Sequence, residues 1–228
     1  VLKSFIMRIT LILCFLFIGF LALAQPDPVG NFNKHVIEQW TEQYMQVSQY
    51  KVKGSPYLLG ESFDGQITMK SGIQTKGQKI LYNIYEQNAG VELNKKLISP
   101  DGDIVSFFIQ LPEKFGGEKL DFLPVTAFPD AKQKGYYNIL ADGPKASFLR
   151  MYKTRLIPDP QNMYTKDFRI FEQYNEYFIF NKVTKEIHKI KLREKDVREA
   201  LGNVKFPEGL ELETLNGIKK AITESNTP

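Results

Sequence analysis

Several short stretches carry residues of the kinds that do chemistry. "GIQTKGQK" (72–79) approaches the phosphate-loop pattern G-x-x-x-x-G-K-[ST], in which backbone amides and a lysine cradle phosphates. Gln78 stands where the lysine is needed and Lys79 where the magnesium-binding hydroxyl is needed, and strand-like text follows instead of a helix. A hairpin is the better reading. "SPDGDI" (99–104) spaces two carboxylates as a calcium loop begins, but the remaining ligands and the closing bidentate glutamate are missing. A tight Asp-Gly turn accounts for it, and "ESFDG" (61–65) and "LADG" (140–143) read the same way.

The only histidines, His35 and His188, lie in unrelated segments, and a zinc site usually needs three or four nitrogen or sulfur ligands. Each reads as a solvated or core-edge imidazole. There is no G-x-S-x-G, no H-E-x-x-H and no nucleophile–base pairing. Carboxylates are plentiful, so a hydrolytic dyad stays open, although no spacing points to one. The most basic stretch holds Lys145, Arg150, Lys153 and Arg155, with Tyr152 among them. Arginine there could take a carboxylate or phosphate, but an outward strand face with edge-protecting charge is the better reading of the run. No catalytic, cofactor-binding or metal-binding residue is assigned from sequence, and no cofactor is expected.

The elements that would position such residues begin with a leader. "LILCFLFIGFLAL" (11–23) is apolar, follows Lys3 and Arg8, and precedes the small-x-small triplet Ala22-Leu23-Ala24. It is too short to span a bilayer as a helix, which takes roughly 20 apolar residues. Residues 1–24 therefore read as a secretory signal peptide cleaved after Ala24, with Met7-Arg8 an equally good start. Gln25 stands where a lipoprotein needs cysteine, and Cys14 leaves with the leader, so the mature chain is expected to carry neither lipid nor thiol. It keeps 28 basic and 26 acidic residues, a net of +2, without the charge footprint of a nucleic-acid binder.

Residues 25–53 read as a lead-in in which 35–50 could form a helix. From 54 to 192 short alternating runs take over. They are "GQITMKSG" (65–72), "KILYNIYE" (79–86), "GVEL" (90–93), "IVSFFIQL" (104–111), "GYYNILADG" (135–143), "KASFLRMYKTRL" (145–156), "FRIFEQ" (168–173), "EYFIFN" (176–181) and "EIHKIKL" (186–192). Turns are expected at Ser71-Gly72, Asn88-Ala89-Gly90, Asp101-Gly102 and Tyr174-Asn175. Residues 112–134, with three prolines and Gly116-Gly117, read as a long loop returning Phe115, Leu120, Phe122 and Phe128 to the core. "FLRMYK" is apolar on both faces, as in a strand covered on both sides. The period changes to 3.6 in 193–202 and 213–225, so residues 193–228 are expected to pack two short helices on the sheet. The fold class is mainly β: an antiparallel meander forming a curved sheet or partly closed barrel, with two short C-terminal helices.

"KGSPYLLGESFDGQITMKSG" (53–72), "LYNIYEQNAGVEL" (81–93), "YYNILADGPKASFLRMYKTRL" (136–156) and "EYFIF" (176–180) together resemble uncharacterised exported proteins common in Bacteroidetes-type bacteria. Those chains carry the Gly-Ser-Pro-Tyr-Leu segment found here at 54–58. The resemblance spans roughly residues 50–222 and implies an exported β-rich chain; it carries no functional residue with it. Gly54-Ser55-Pro56 reads as a chain reversal that drops Tyr57 and Leu58 into the core. Three functions are compatible with these features. The favoured one is an exported, non-enzymatic envelope protein binding a partner or an apolar ligand. The others are an envelope hydrolase using carboxylates and an outer-membrane β-barrel, the last disfavoured by short runs and a helical end.

Overall fold

The computed structural model describes residues 51–100, 103–129, 133–162, 168–207 and 209–225. The expected leader, the 25–50 lead-in, His35 and the Asp101-Gly102 turn lie outside them. All described residues belong to one unit, Asn33–Pro228. Its strands are β1 (Lys51–Lys53), β2 (Phe63–Met69), β3 (Gln78–Asn83), β4 (Asn88–Leu93), β5 (Lys96–Ile98), β6 (Ile104–Gln110), β7 (Lys119–Pro124), β8 (Tyr136–Asp142), β9 (Ala146–Pro158), β10 (Phe168–Asn181) and β11 (Glu186–Ile190). Helices α1 (Glu194–Leu201) and α2 (Leu215–Glu224) follow.

The strands make one mixed sheet that is not closed. Its order is β1-β10-β9-β8-β7-β6-β2-β3-β4-β5, and β11 pairs with the other half of β10. The fold class read from sequence therefore holds, with four corrections. The sheet is two meanders joined by a crossover, since β6 returns to lie beside β2. β1, assigned to the lead-in, pairs in parallel with β10. β7 lies inside the expected 112–134 loop: the breakers sit at its ends, with Gly116 and Gly117 both left-handed in the β6–β7 turn and Pro124 closing the strand. β10 runs unbroken through Tyr174-Asn175, which pair with Lys153 and Tyr152. The polar residues that looked like a turn are the exposed middle of a long ribbon. Smaller shifts have the same character. Phe63, Asp64 and Gly65 are strand, not turn. The β3–β4 turn falls at Ile84–Gln87, one step before Asn88-Ala89-Gly90.

Alternation sorts the side chains onto two faces. On the inner face, Tyr82, Phe107, Phe122 and Tyr136 from four strands form an aromatic group. Phe107 stacks on Phe122 at 4.5 Å, and Tyr82 meets both edge-on at 5.5 and 5.4 Å. Such pairs add about 0.5–1.5 kcal/mol each beyond their area. Further along the same face, Phe148 and Ile179 pack under Val197, Leu201, Ile218 and Ile222 of the helices. On the outer face, Val125 and Phe128 cover Tyr137, Leu149, Met151 and Phe178. β9 is thus apolar on both sides for a simple reason: both are covered.

Gly65 is where β2 can hold both neighbours. A Cβ there would run into the Phe108 carbonyl oxygen and come within 2.8 Å of Ile80 Cγ1. Past it, β3 leaves and Thr75 takes its place on β2, its amide donating to the Ile67 carbonyl (3.0 Å) and its hydroxyl accepting from the Ile67 amide (2.9 Å). Gly65→Ala is expected to lower stability by about 1–3 kcal/mol through overpacking, read as a fall in the urea midpoint with unchanged slope.

Candidate functional site

The sheet curls, so that strands far apart in its order meet at one end. Four strands separate β3 from β9, yet Gln87 joins them. Its Oε1 accepts from the Tyr82 hydroxyl (2.8 Å), and its Nε2 donates to the carbonyls of Ile84 (2.6 Å) and Tyr152 (2.8 Å). Gln87 is held at φ 58° against Gly135, where any Cβ would collide with the Gln87 side chain. The Gly54–Tyr57 segment braces the same end. Pro56 accepts from the Ile84 amide (2.9 Å), and Gln173 donates to the Tyr57 carbonyl (2.9 Å). The chain reversal at Gly54 (φ 85°) directs this crossing, and Leu58 is buried beneath it while Tyr57 is half-buried.

This end opens into a cleft of about 710 Å³. Gln87, Gly135 and Tyr136 line it together with Lys70, Asp103 and Val105. Asn88 donates to Ser99 Oγ on one wall (2.6 Å), and Lys70 lies 3.6 Å from Asp103 at the rim. Burial, with the Asp103 charge adding to it, pushes the Tyr136 hydroxyl up to about 12. It is therefore a neutral donor at physiological pH. The cleft can hold a small polar molecule between amides, hydroxyls and one cation–anion pair. Asp103 is the only carboxylate among its described lining residues, so those residues form no carboxylate dyad.

The basic stretch of the sequence is divided between faces. Lys145 lies in the β8–β9 turn, where its carbonyl accepts from the Lys182 amide. Arg155 pairs with Glu172 in the open (2.6 Å). Lys153 sits on the outer face, its ammonium held below the usual lysine value by burial. Arg150 alone faces inward. Its side chain is 13% exposed, and the guanidinium carbon lies 4.4 Å from the centre of the Tyr152 ring. Asn138, directly across on β8, accepts from its Nε (3.2 Å) and Nη2 (2.8 Å). Asn138 is fixed in turn by donating to the Asp121 carbonyl (3.0 Å). Tyr177 is the opposite neighbour on β10. Glu118 Oε1 stands 3.6 Å from Nη2. Burial pushes the Tyr152 hydroxyl up to about 12, against the pull of Arg150.

His188 stands on β11 with Glu186 3.6 Å away. Among the described residues no group of three or more His, Cys, Asp or Glu is placed to hold a metal ion. "GIQTKGQK" is the β2–β3 hairpin connection and the start of β3, as its chemistry implied. Sequence reasoning missed Gln87, Asn138 and Glu118. Asn138 had a legible signal, a polar residue at an inward position between Tyr136 and Leu140. Gln87 had none, because its role depends on a left-handed backbone and a partner 65 residues away.

Compared with protein-family models, curated proteins and solved structures, the chain matches none.

Glu86, next to Gln87, carries a buried Oε2 without a hydrogen-bond partner. Burial raises its carboxyl above the ordinary glutamate value, and its charge in turn adds to the burial that raises the Tyr57 hydroxyl. Below the ordinary value the carboxyl is neutral in both folded and unfolded chains and costs nothing. As pH climbs from there through the raised value, the unfolded chain ionises first and the fold loses stability. Glu86→Gln is expected to raise the melting temperature at about pH 8 and to leave it nearly unchanged at about pH 4. Equal gains at both pH values would contradict the assignment.

Proposed function

We propose that the chain is an exported, non-enzymatic binding protein of the cell envelope whose ligand occupies the cleft at the Gln87 end of the sheet. The observation that carries this is the contrast between a packed interior and an open end. The inner face is filled by the buried rings of Tyr82, Phe107 and Phe122, packed on one another. The cleft, at about 710 Å³, falls in the size range of small-molecule sites. Its amides, hydroxyls and Lys70–Asp103 pair offer polar anchors to a small ligand, beside apolar walls from Ile104, Val105 and Val125. Export rests on the leader alone.

The hydrolase reading requires two facing carboxyl groups, and the described lining supplies Asp103 only. An open sheet leaves edge groups that a bilayer cannot satisfy, which weighs against a membrane barrel. Among the described residues no helix is long and apolar enough to cross a membrane.

The test is native mass spectrometry of protein purified from its own envelope without denaturant. A small polar molecule is expected to remain bound and to be released on unfolding. Val105, on the cleft wall and well exposed, can be enlarged without disturbing the core. Val105→Trp should abolish the adduct. No adduct, or one indifferent to Val105→Trp, overturns the reading.

A further inference from the structure

Arg150 is not among the residues lining the cleft, and its surroundings point to a separate use. A guanidinium has five N–H donors arranged as forks. Its side fork, Nε and Nη2, converges on Asn138 Oδ1 at 3.2 and 2.8 Å. Among the described residues the end fork, Nη1 with the outer hydrogen of Nη2, donates to no protein acceptor. It is not sealed off either, because Glu86 Oε2 is the one buried side-chain polar atom without a partner among the described residues. The fork is rigid: Tyr152 lies against it at 4.4 Å, and Asn138 is itself tied to the Asp121 carbonyl. The nearest carboxylate, Glu118, stops at 3.6 Å from Nη2 and is half exposed. That distance exceeds a good N–H···O bond, so Glu118 lies beside the fork without filling it.

We propose that the end fork of Arg150 is the seat of a small monocarboxylate, with Glu118 as the internal carboxylate that competes for it. Two parallel N–H···O bonds match a carboxylate's two oxygens. Tyr152, beside the fork, and Tyr177, next across the sheet, would flank a small substituent. The adjacent charge of Glu118 disfavours a dianion such as phosphate. If Arg150 served only to cross-link β8 and β9 through Asn138, no ligand would respond to Glu118.

The experiment is an NMR titration of the ¹⁵N-labelled protein with sodium acetate, chloride replacing acetate to hold ionic strength. The Arg150 Nε–H signal and the backbone amides of Asn138 and Tyr177 are followed. In the unmodified protein they are expected to shift saturably with acetate and not with chloride. Glu118→Gln should tighten acetate binding about fivefold, the scale of losing one exposed competing ion pair. Arg150→Lys keeps the charge and removes the fork, and should lose the saturable shift at Asn138 and Tyr177; if it fails to fold, the Glu118→Gln titration decides alone. No saturable shift, an equal response to chloride, unchanged affinity in Glu118→Gln, or tighter binding of inorganic phosphate than of acetate each overturns the proposal. Because Val105→Trp leaves this seat untouched, failure here is distinct from failure of the cleft.

Discussion

One side-chain amide sets the shape on which the rest relies. Gln87 makes three hydrogen bonds, to Tyr82 on β3, to its own turn, and to the Tyr152 carbonyl on β9. In a half-buried site, leaving such a group unpaired costs about 1–3 kcal/mol. The amide therefore favours a sheet curled enough to satisfy all three over any flatter arrangement. With the curl in place, Tyr82 of β3 meets Phe107, Phe122 and Tyr136 of β6, β7 and β8 on the same inner face. The same amide becomes the floor of the cleft. The Gly54–Tyr57 brace reinforces the curl from the β1 side, with Tyr85 edge-on to Phe171 at 5.5 Å beside it.

The two ends of the inner face are finished differently. The Gln87 end is tied by polar groups and stays open to solvent. At the other end α1 and α2 lie on Phe148 and Ile179 and bury them completely. α2 starts at Thr214, whose hydroxyl accepts from the Gly217 amide (3.0 Å). Gly217, which costs helix propensity, is required there: a side chain would collide with the Glu211 carbonyl. Arg150 lies on the inner face between Phe148 and Tyr152, and that position explains why a charged residue is tolerated. Asn138 and the Tyr152 ring replace part of its hydration, and the side chain keeps some exposure to solvent.

What could be read in advance follows the physics of each element. Strands with one face buried announced themselves by alternation, as in Ile67 and Met69 of β2, and β9, covered on both faces, by Phe148 and Tyr152 on one side with Leu149 and Met151 on the other. The helices announced themselves by Val197, Ala200 and Leu201, and by Leu215, Ile218 and Ile222. β7 was hidden because its six residues start just after Gly116-Gly117 and end on Pro124, and local breakers outweigh a short apolar pattern. β10 looked like two strands because its middle, Gln173 to Asn175, is exposed and polar. The β2–β6 neighbourhood and the parallel pairing of β1 depend on long-range contacts that no local period encodes. The site was less legible still. Arg150 was visible as part of a basic stretch, but only the strand register separates it from Lys153 and Arg155.

The central claim is that Gln87 couples two distant parts of the sheet. Amide hydrogen exchange of Gln87→Ala against the unmodified protein tests it most directly. If the claim is right, protection falls together in β3 and in β9 around Tyr152, strands that share no backbone ladder. Protection lost only in the Ile84–Gln87 turn, with β9 unchanged, would contradict it.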